Sequence, residues 1–155
     1  MNRTGARMPT RIILAILLTA AFLCSASAQV ELTFQLVNRE VLELEPIPVV
    51  VTLVNKSTRH LRGGEDYQLA FDVNDPSGIQ VRMRKDRAVQ VPAELAPGAQ
   101  AGVTNDLGLL YLLNRQGPYT VAARLVLGQV NVVSSREFLD VLPGAEVAIA
   151  DGVAS

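Results

Sequence analysis

Apolar and polar residues alternate along most of the chain beyond residue 29. Residues 30–36 (VELTFQL) and 67–73 (YQLAFDV) are apolar at nearly every second position, and residues 119–125 repeat the pattern. A period of two places neighbouring side chains on opposite faces of a strand, so it predicts strands with one buried face. Residues 47–54 (IPVVVTLV) are nearly all apolar and β-branched, which predicts a strand buried on both faces.

Shorter segments of the same character complete the pattern. They are residues 42–45, 79–84, 100–104 and a strand within 130–141. In the intervening sequence 74–78 (NDPSG), proline fixes φ and glycine supplies a positive φ, which predicts a hairpin between 67–73 and 79–84. Pro46 and Pro48 predict an edge, a bulge or a crossover between sheets.

Together these elements predict an all-β protein. About seven short strands recur at intervals of roughly ten residues, a spacing typical of a β-sandwich. Residues 106–113 (DLGLLYLL) suit a single helical turn, and no long amphipathic helix is predicted. A parallel α/β fold needs crossover helices between its strands, so that class is excluded.

Two stretches resemble the Ig-like β-sandwich modules that are common in exported bacterial proteins. The first is LEP at 44–46, followed by residues 49–55 (VVVTLVN) and Ser57. It is similar to the Gly-Glu-Pro, alternating strand and Asn-x-Ser sequence with which that family enters its second strand. Two residues depart from the family pattern, because Leu44 replaces the usual glycine and Pro48 adds a second proline.

The second stretch runs from LAPG at 95–98 through residues 107–113 to GPYTV at the start of the penultimate strand. It is similar to the family's L-x-P-G, Y-x-L and G-x-Y-T-V passage. The resemblance implies a single antiparallel Ig-like sandwich of about seven strands. It also implies a structural role for Tyr119, preceded by Gly117 and Pro118, as the tyrosine-corner residue. A fold of this kind serves unrelated tasks, so the resemblance implies no particular activity.

Residues 1–28 have the organisation of a secretory signal peptide. Three arginines precede an uncharged, largely apolar run at 12–23, and residues 26–28 (ASA) fit a cleavage site. The run is too short to cross the roughly 30 Å hydrocarbon core of a bilayer. We therefore expect an exported chain without stable membrane insertion, periplasmic or extracellular after cleavage near Ala28.

Three segments are predicted: the signal peptide at 1–28, the Ig-like domain at 29–143 and a flexible tail at 144–155. The single cysteine, Cys24, lies in the signal, so the mature chain has no disulfide, thiolate metal site or cysteine nucleophile. The alternative is a lipid-modified N-terminus at Cys24. It is less favoured because Leu23 precedes the cysteine, where lipoprotein signals carry a small residue.

The net charge beyond residue 28 limits the classes of binding partner that we expect. Beyond residue 28 the chain has 11 Lys and Arg against 15 Asp and Glu, a net charge of −4. Nucleic-acid binders need a clustered cationic field, so we expect no nucleic-acid partner. The densest basic cluster is Arg82, Arg84, Lys85 and Arg87. We expect it to protect a sheet edge against pairing; the alternative is a contact for another exported protein or an anionic envelope component.

Two other polar groups resemble chemical sites. His60, Ser57, Glu65 and Asp66 include the residue types of a hydrolytic triad, but they share one loop, whereas triad members usually converge from separate segments. The sequence 72–78 (DVNDPSG) has the oxygen density of a calcium loop, yet basic residues follow where a bidentate carboxylate is needed. We therefore predict no catalytic residue, no metal and no cofactor.

The favoured function is that of a non-enzymatic, exported Ig-like domain that works through protein or envelope contacts. One alternative is a proteinase inhibitor of the small bacterial Ig-like type, which would use a protruding loop at 58–66. Another is a carbohydrate- or calcium-binding accessory module. Tyr67, Phe71 and Tyr119 fall on inward positions of predicted strands, so sugar binding would depend on loops rather than on an aromatic platform.

Overall fold

A computed structural model describes residues 29–144, which form ten strands and one short helix. The strands are β1 (Val30–Leu36), β2 (Glu40–Leu42), β3 (Pro48–Asn55), β4 (Leu61–Arg62), β5 (Tyr67–Asn74), β6 (Glu94–Leu95), β7 (Gln100–Asp106), β8 (Gly117–Leu127), β9 (Val130–Val133) and β10 (Glu137–Leu142). The helix α1 (Leu107–Leu110) follows β7. The all-β prediction and the single helical turn are confirmed. The predicted signal peptide and the predicted tail beyond Gly144 lie outside the described residues.

The strands form two main sheets and one small one. The three-stranded sheet has the order β1-β3-β7, and the larger sheet has the order β2-β10-β8-β5. β9 and β10 pair with the same strand, β8, at residues 124–127 and 117–121. Only β2 and β10 run parallel, and β4 and β6 form the small sheet. Within this described part, no helix is long and apolar enough to cross a bilayer.

Side chains from the two main sheets share one hydrophobic core. The rings of Phe34 in β1 and Phe71 in β5 lie 6.0 Å apart between centroids, so the sheets meet across that core. The predicted inward positions of Tyr67, Phe71 and Tyr119 are confirmed. Residues 47–54 were predicted to be buried on both faces, but in β3 fully buried positions alternate with half-buried ones. The second face of β3 points away from the shared core and is therefore only partly covered.

The two prolines mark a crossover between sheets, one of the outcomes the sequence predicts. β2 belongs to the larger sheet and β3 to the three-stranded sheet, and residues 43–47 connect them. Pro48 is the first residue of β3, a position at which a missing backbone donor is tolerated. The crossover places the polypeptide between β2 and β3 at one end of the core, beside α1.

The predicted strand at 79–84 is wrong beyond its first residues. The turn closes as expected, Asn74 bridges Gln80, and the Val81 N–H donates to the Val73 carbonyl at 2.8 Å. The chain then leaves the edge of β5. The hairpin signal in the local sequence was therefore correct for the turn but not for the strand that should follow it.

A tertiary contact takes the place of that strand. The Arg84 N–H donates to the Leu110 carbonyl at 2.8 Å, and the residue before Arg84 forms a bridge with Tyr111. The Tyr111 hydroxyl donates to the Phe71 carbonyl of β5, also at 2.8 Å. It thereby satisfies a backbone acceptor on that strand by a side-chain donor. As a result, Arg82 and Arg84 do not share a strand face.

Candidate functional site: a leucine-lined groove beside a basic segment

A groove of about 180 Å³ opens between the β2–β3 connection and the segment that contains α1. Its lining includes four exposed leucines, with exposed fractions of 38% at Leu42, 97% at Leu44, 53% at Leu109 and 56% at Leu112. We call this feature the leucine groove. A single exposed leucine needs no explanation, but four that line one groove make it a candidate contact surface.

One wall of the groove is a tight turn at residues 42–45. The Glu45 N–H donates to the Leu42 carbonyl at 3.1 Å, and the Glu45 carboxylate accepts the Leu42 N–H at 2.9 Å. Leu44 is the third residue of this turn and has a φ of 70°. A positive φ at that position favours glycine, and it costs other L-residues about 1–2 kcal/mol. The turn therefore holds a fully exposed leucine in a strained backbone conformation.

Asp106 joins the two walls. Its carboxylate oxygen accepts the N–H of Gly108, which caps α1, and the N–H of Ile47 on the opposite wall, each at 2.9 Å. Space is short at this junction, because a Cβ atom on Gly108 would lie 3.2 Å from the Glu45 carbonyl oxygen. A short polar side chain is needed to cap a helix, and here the same group also fixes the crossover.

The predicted basic cluster lies in an irregular segment next to the groove, which we call the basic segment (residues 82–87). Arg82, Arg84, Lys85 and Arg87 are all exposed. Arg84 contributes to the groove lining, and Arg87 pairs with its neighbour Asp86 at 3.6 Å. Within residues 29–144 the other three cations form no salt bridge. The segment is not a strand, so its cations do not stand in a row along a strand edge.

The groove contains residues that the sequence analysis did not assign a role. Leu109 and Leu112 lie within residues 107–113, which are nearly all apolar, so no pattern in the sequence indicated which leucines would be exposed. Leu44 did carry a signal. It stands where the resembling family has glycine, and a glycine-specific position indicates a positive φ. That signal could have located the strained turn.

The three structural residues at the start of β8 form a compact corner. The Tyr119 side chain is buried, and its hydroxyl accepts the N–H of Arg115 at 2.9 Å. Gly117 has a φ of 115°, and a Cβ atom there would lie 3.3 Å from the ring of Pro76. Pro118 follows as the second residue of β8. These contacts anchor the strand, and the Tyr119 ring is buried away from any ligand.

Three of the residues considered for a hydrolytic triad form hydrogen bonds or ion pairs within their own loop. The Ser57 hydroxyl donates to the side-chain oxygen of Asn55 at 2.7 Å, while Asp66 accepts the N–H of Arg62 at 2.8 Å. Arg62 also pairs with Glu65, at 3.4 Å. Asn55, fully buried, donates to two backbone carbonyls and so holds the loop from within. His60 is exposed and makes no side-chain hydrogen bond to residues 29–144.

The hypothetical calcium loop is a turn secured by its own side chains. Asp75 accepts the N–H groups of Ser77 and Ile79, both at 2.9 Å, and pairs with Arg115 at 2.9 Å. Asp72 forms a second ion pair across the sheet, with Arg124 at 2.9 Å. In the part of the chain that the structure describes, no group of three or more His, Cys, Asp or Glu side chains could hold a metal ion.

Comparison with known proteins adds a likeness of fold. No protein-family profile matches the chain, and no curated protein does. Among solved structures, the chain is similar to part of the Pseudomonas fluorescens alkylpurine DNA glycosylase AlkC bound to DNA containing an abasic site analog. The TM-score is 0.50 at 12% identity, over 79% of this chain and 33% of that one. At this identity the likeness concerns the fold alone.

A second match is weaker. The chain resembles part of a β-glucosidase from Listeria innocua in complex with isofagomine, with a TM-score of 0.48, 17% identity and 74% coverage of this chain. It spans only 16% of the glucosidase chain. The present chain thus corresponds to a minor part of each larger protein.

Proposed function

We propose that this protein is an exported, non-enzymatic Ig-like domain that works by binding another exported protein. Export is supported by the signal-like residues 1–28. The Ig-like assignment is supported by two mainly antiparallel sheets around one core. It is supported further by Tyr119, whose hydroxyl is bonded to the backbone a few residues upstream at the start of β8, as in a tyrosine corner.

The observation that carries the binding function is the adjacency of the leucine groove and the basic segment. Exposed leucines supply apolar area that a partner can bury, and Arg84 belongs to both features. Protein interfaces combine an apolar centre with a polar rim, in which charges steer association. An anionic envelope polymer would need only the cations and would leave the leucines without a role, so a protein partner is favoured.

The strained turn supports a second candidate, a proteinase inhibitor. Leu44 projects from a short turn that is tied by two hydrogen bonds, the kind of rigid, exposed side chain that can enter a specificity pocket. The loop at 58–66 is the weaker choice for this role, because it contains β4, which pairs with β6, and is held by Asn55. An inhibitor would lose potency toward a susceptible proteinase in the variant Leu44→Gly.

A charge-reversal experiment tests the binding function. The variant Arg82→Glu/Arg84→Glu is compared with Arg59→Glu/Arg136→Glu, which changes net charge equally at two exposed arginines outside the basic segment. Each tagged variant is used to recover partners from the envelope of the source cell. We expect the first pair to lose the partner and the second to keep it, with binding of the wild type falling as salt rises. Equal recovery by both pairs would refute a role for the basic segment.

A further inference from the structure

Packing within residues 29–144 does not explain why a leucine occupies the strained position 44. Its side chain is 97% exposed, so it contributes almost nothing to the core, while its backbone holds the conformation that glycine adopts without strain. Strained positions persist where function requires the side chain. Leu44 is therefore placed for a contact with something outside this domain.

The size of the groove limits what it can hold. About 180 Å³ is below the ~300–1,000 Å³ typical of sites that enclose a small molecule. It is enough for one large side chain of a peptide, flanked by the exposed leucines on both walls. The dimensions favour a peptide segment over a metabolite or a cofactor.

The charged side chains that line the groove indicate where a negatively charged group of a ligand would bind. The carboxylates of Glu45 and Asp106 are already engaged with backbone N–H groups of this chain. Glu43 on the turn and Arg84 on the opposite wall remain, and neither makes a side-chain bond to residues 29–144. A ligand carboxylate would be repelled near Glu43 and attracted near Arg84 and the adjoining Lys85.

We infer that the leucine groove binds a peptide segment of a partner protein that inserts one large apolar side chain beside Leu44 and places a carboxylate at Arg84. This inference rests on the proposed binding function and specifies the ligand of the same site. The apolar residue buries the strained leucine, and the acidic residue pairs with the basic segment. A glycine at position 44 would relieve the strain but would supply no apolar side chain to the partner.

A displayed library of random peptides tests the inference without the natural partner. The wild-type domain is the bait, and enriched peptides are synthesised for measurement of Kd. We expect enriched sequences to carry a large apolar residue and, within a few positions, Asp or Glu. Absence of enrichment, or enrichment of basic peptides, would overturn the inference.

Variants then show whether the selected peptides use the groove. Leu44→Gly and Arg84→Glu should each raise Kd about ten- to a hundredfold, as loss of one buried side chain or one charge pair implies. Phe138→Ser and Arg136→Glu are the matched controls, because they alter exposed residues outside the groove and should leave Kd unchanged. Leu44→Gly should melt no lower than the wild type. Equal Kd values for Leu44→Gly and the wild type would overturn the inference.

The two proposals fail in different ways. If a partner is recovered through Arg82 and Arg84 but no peptide is enriched, the basic segment binds and the groove does not. If acidic apolar peptides are enriched and depend on Leu44 but charge reversal leaves partner recovery unchanged, the groove binds peptides and the proposed role of the basic segment fails.

Discussion

Within residues 29–144, buried and half-buried polar side chains fix the loops, and Leu44 is the one residue other than glycine that has a positive φ. Asn55 donates to two backbone carbonyls and Asp75 accepts two backbone N–H groups. Leu44 does the reverse, because it accepts an unfavourable backbone conformation and gains no burial in return. That contrast separates structural residues from the residue we place in the binding surface.

The hydroxyl of Tyr119 should contribute to folding and not to binding. It accepts the Arg115 N–H at 2.9 Å inside a buried corner. Removal of that acceptor in Tyr119→Phe should lower the free energy of unfolding by about 1 kcal/mol. Chemical denaturation of the variant and the wild type measures the difference. An unchanged midpoint would show that the corner does not depend on this bond.

Tyr111 should make the fold sensitive to alkaline pH. Burial raises the pKa of its phenol above the ordinary value of 10.0, and the hydroxyl can donate to the Phe71 carbonyl only while it is protonated. The folded state then holds the proton more tightly than the unfolded state. The stability that results is fully present below about pH 10 and is lost as pH rises through the folded-state pKa.

The variant Tyr111→Phe removes this titration. Its free energy of unfolding should be about 1 kcal/mol lower at neutral pH, because the bond to Phe71 is absent, and should decline less steeply above about pH 10. Denaturation at a series of pH values gives both quantities. Tyr67, whose pKa burial also raises, continues to titrate in the variant, so a residual slope is expected. Identical slopes in variant and wild type would contradict the assignment to Tyr111.

Among the strands and turns, those that depend on a local sequence pattern were predicted correctly. β1, β5 and the start of β8 follow the period of two, and the Asn-Asp-Pro-Ser-Gly turn closes as its residues require. The strand at 79–84 failed because its edge of β5 is taken by Tyr111, a competitor about 30 residues away. No local pattern reveals such a contact.

The leucines that line the groove could not be predicted from local patterns either. The leucines of 107–113 could be read as core, and it is α1 and its contact with Arg84 that turn some of them outward. The basic cluster was visible in the sequence, but its position beside an apolar groove was not. Only Leu44 was open to prediction, since the substitution of a family glycine indicates a positive φ.

Asp106 should hold both walls of the groove. In Asp106→Ala the cap of α1 and the bond to Ile47 are lost together, and the free energy of unfolding should fall by about 1–2 kcal/mol. Asp106→Asn retains an oxygen acceptor and should remain close to the wild type. Thermal or chemical denaturation of the pair provides the test. An equal loss in both variants would mean that the charge, and not the acceptor geometry, stabilises the junction.

In the molecule as a whole, the proposed binding surface lies at one end of the core that the two main sheets share. The proposed export predicts a mature N-terminus at Gln29, after the small residues at 26–28. Intact mass and N-terminal sequencing of the exported protein determine it. A lipid-modified N-terminus at Cys24 would instead place the domain on a membrane surface.

Site-specific photo-crosslinking in the source cell determines whether the leucine groove is a binding surface. A photoreactive amino acid replaces Leu112, which lines the leucine groove, or Phe138, which is exposed elsewhere with a similar fraction of 66%. We predict one discrete protein adduct from position 112 that disappears when Arg84→Glu is added, and no such adduct from position 138. Absence of an adduct at 112, or the same adduct from both positions, would contradict the account.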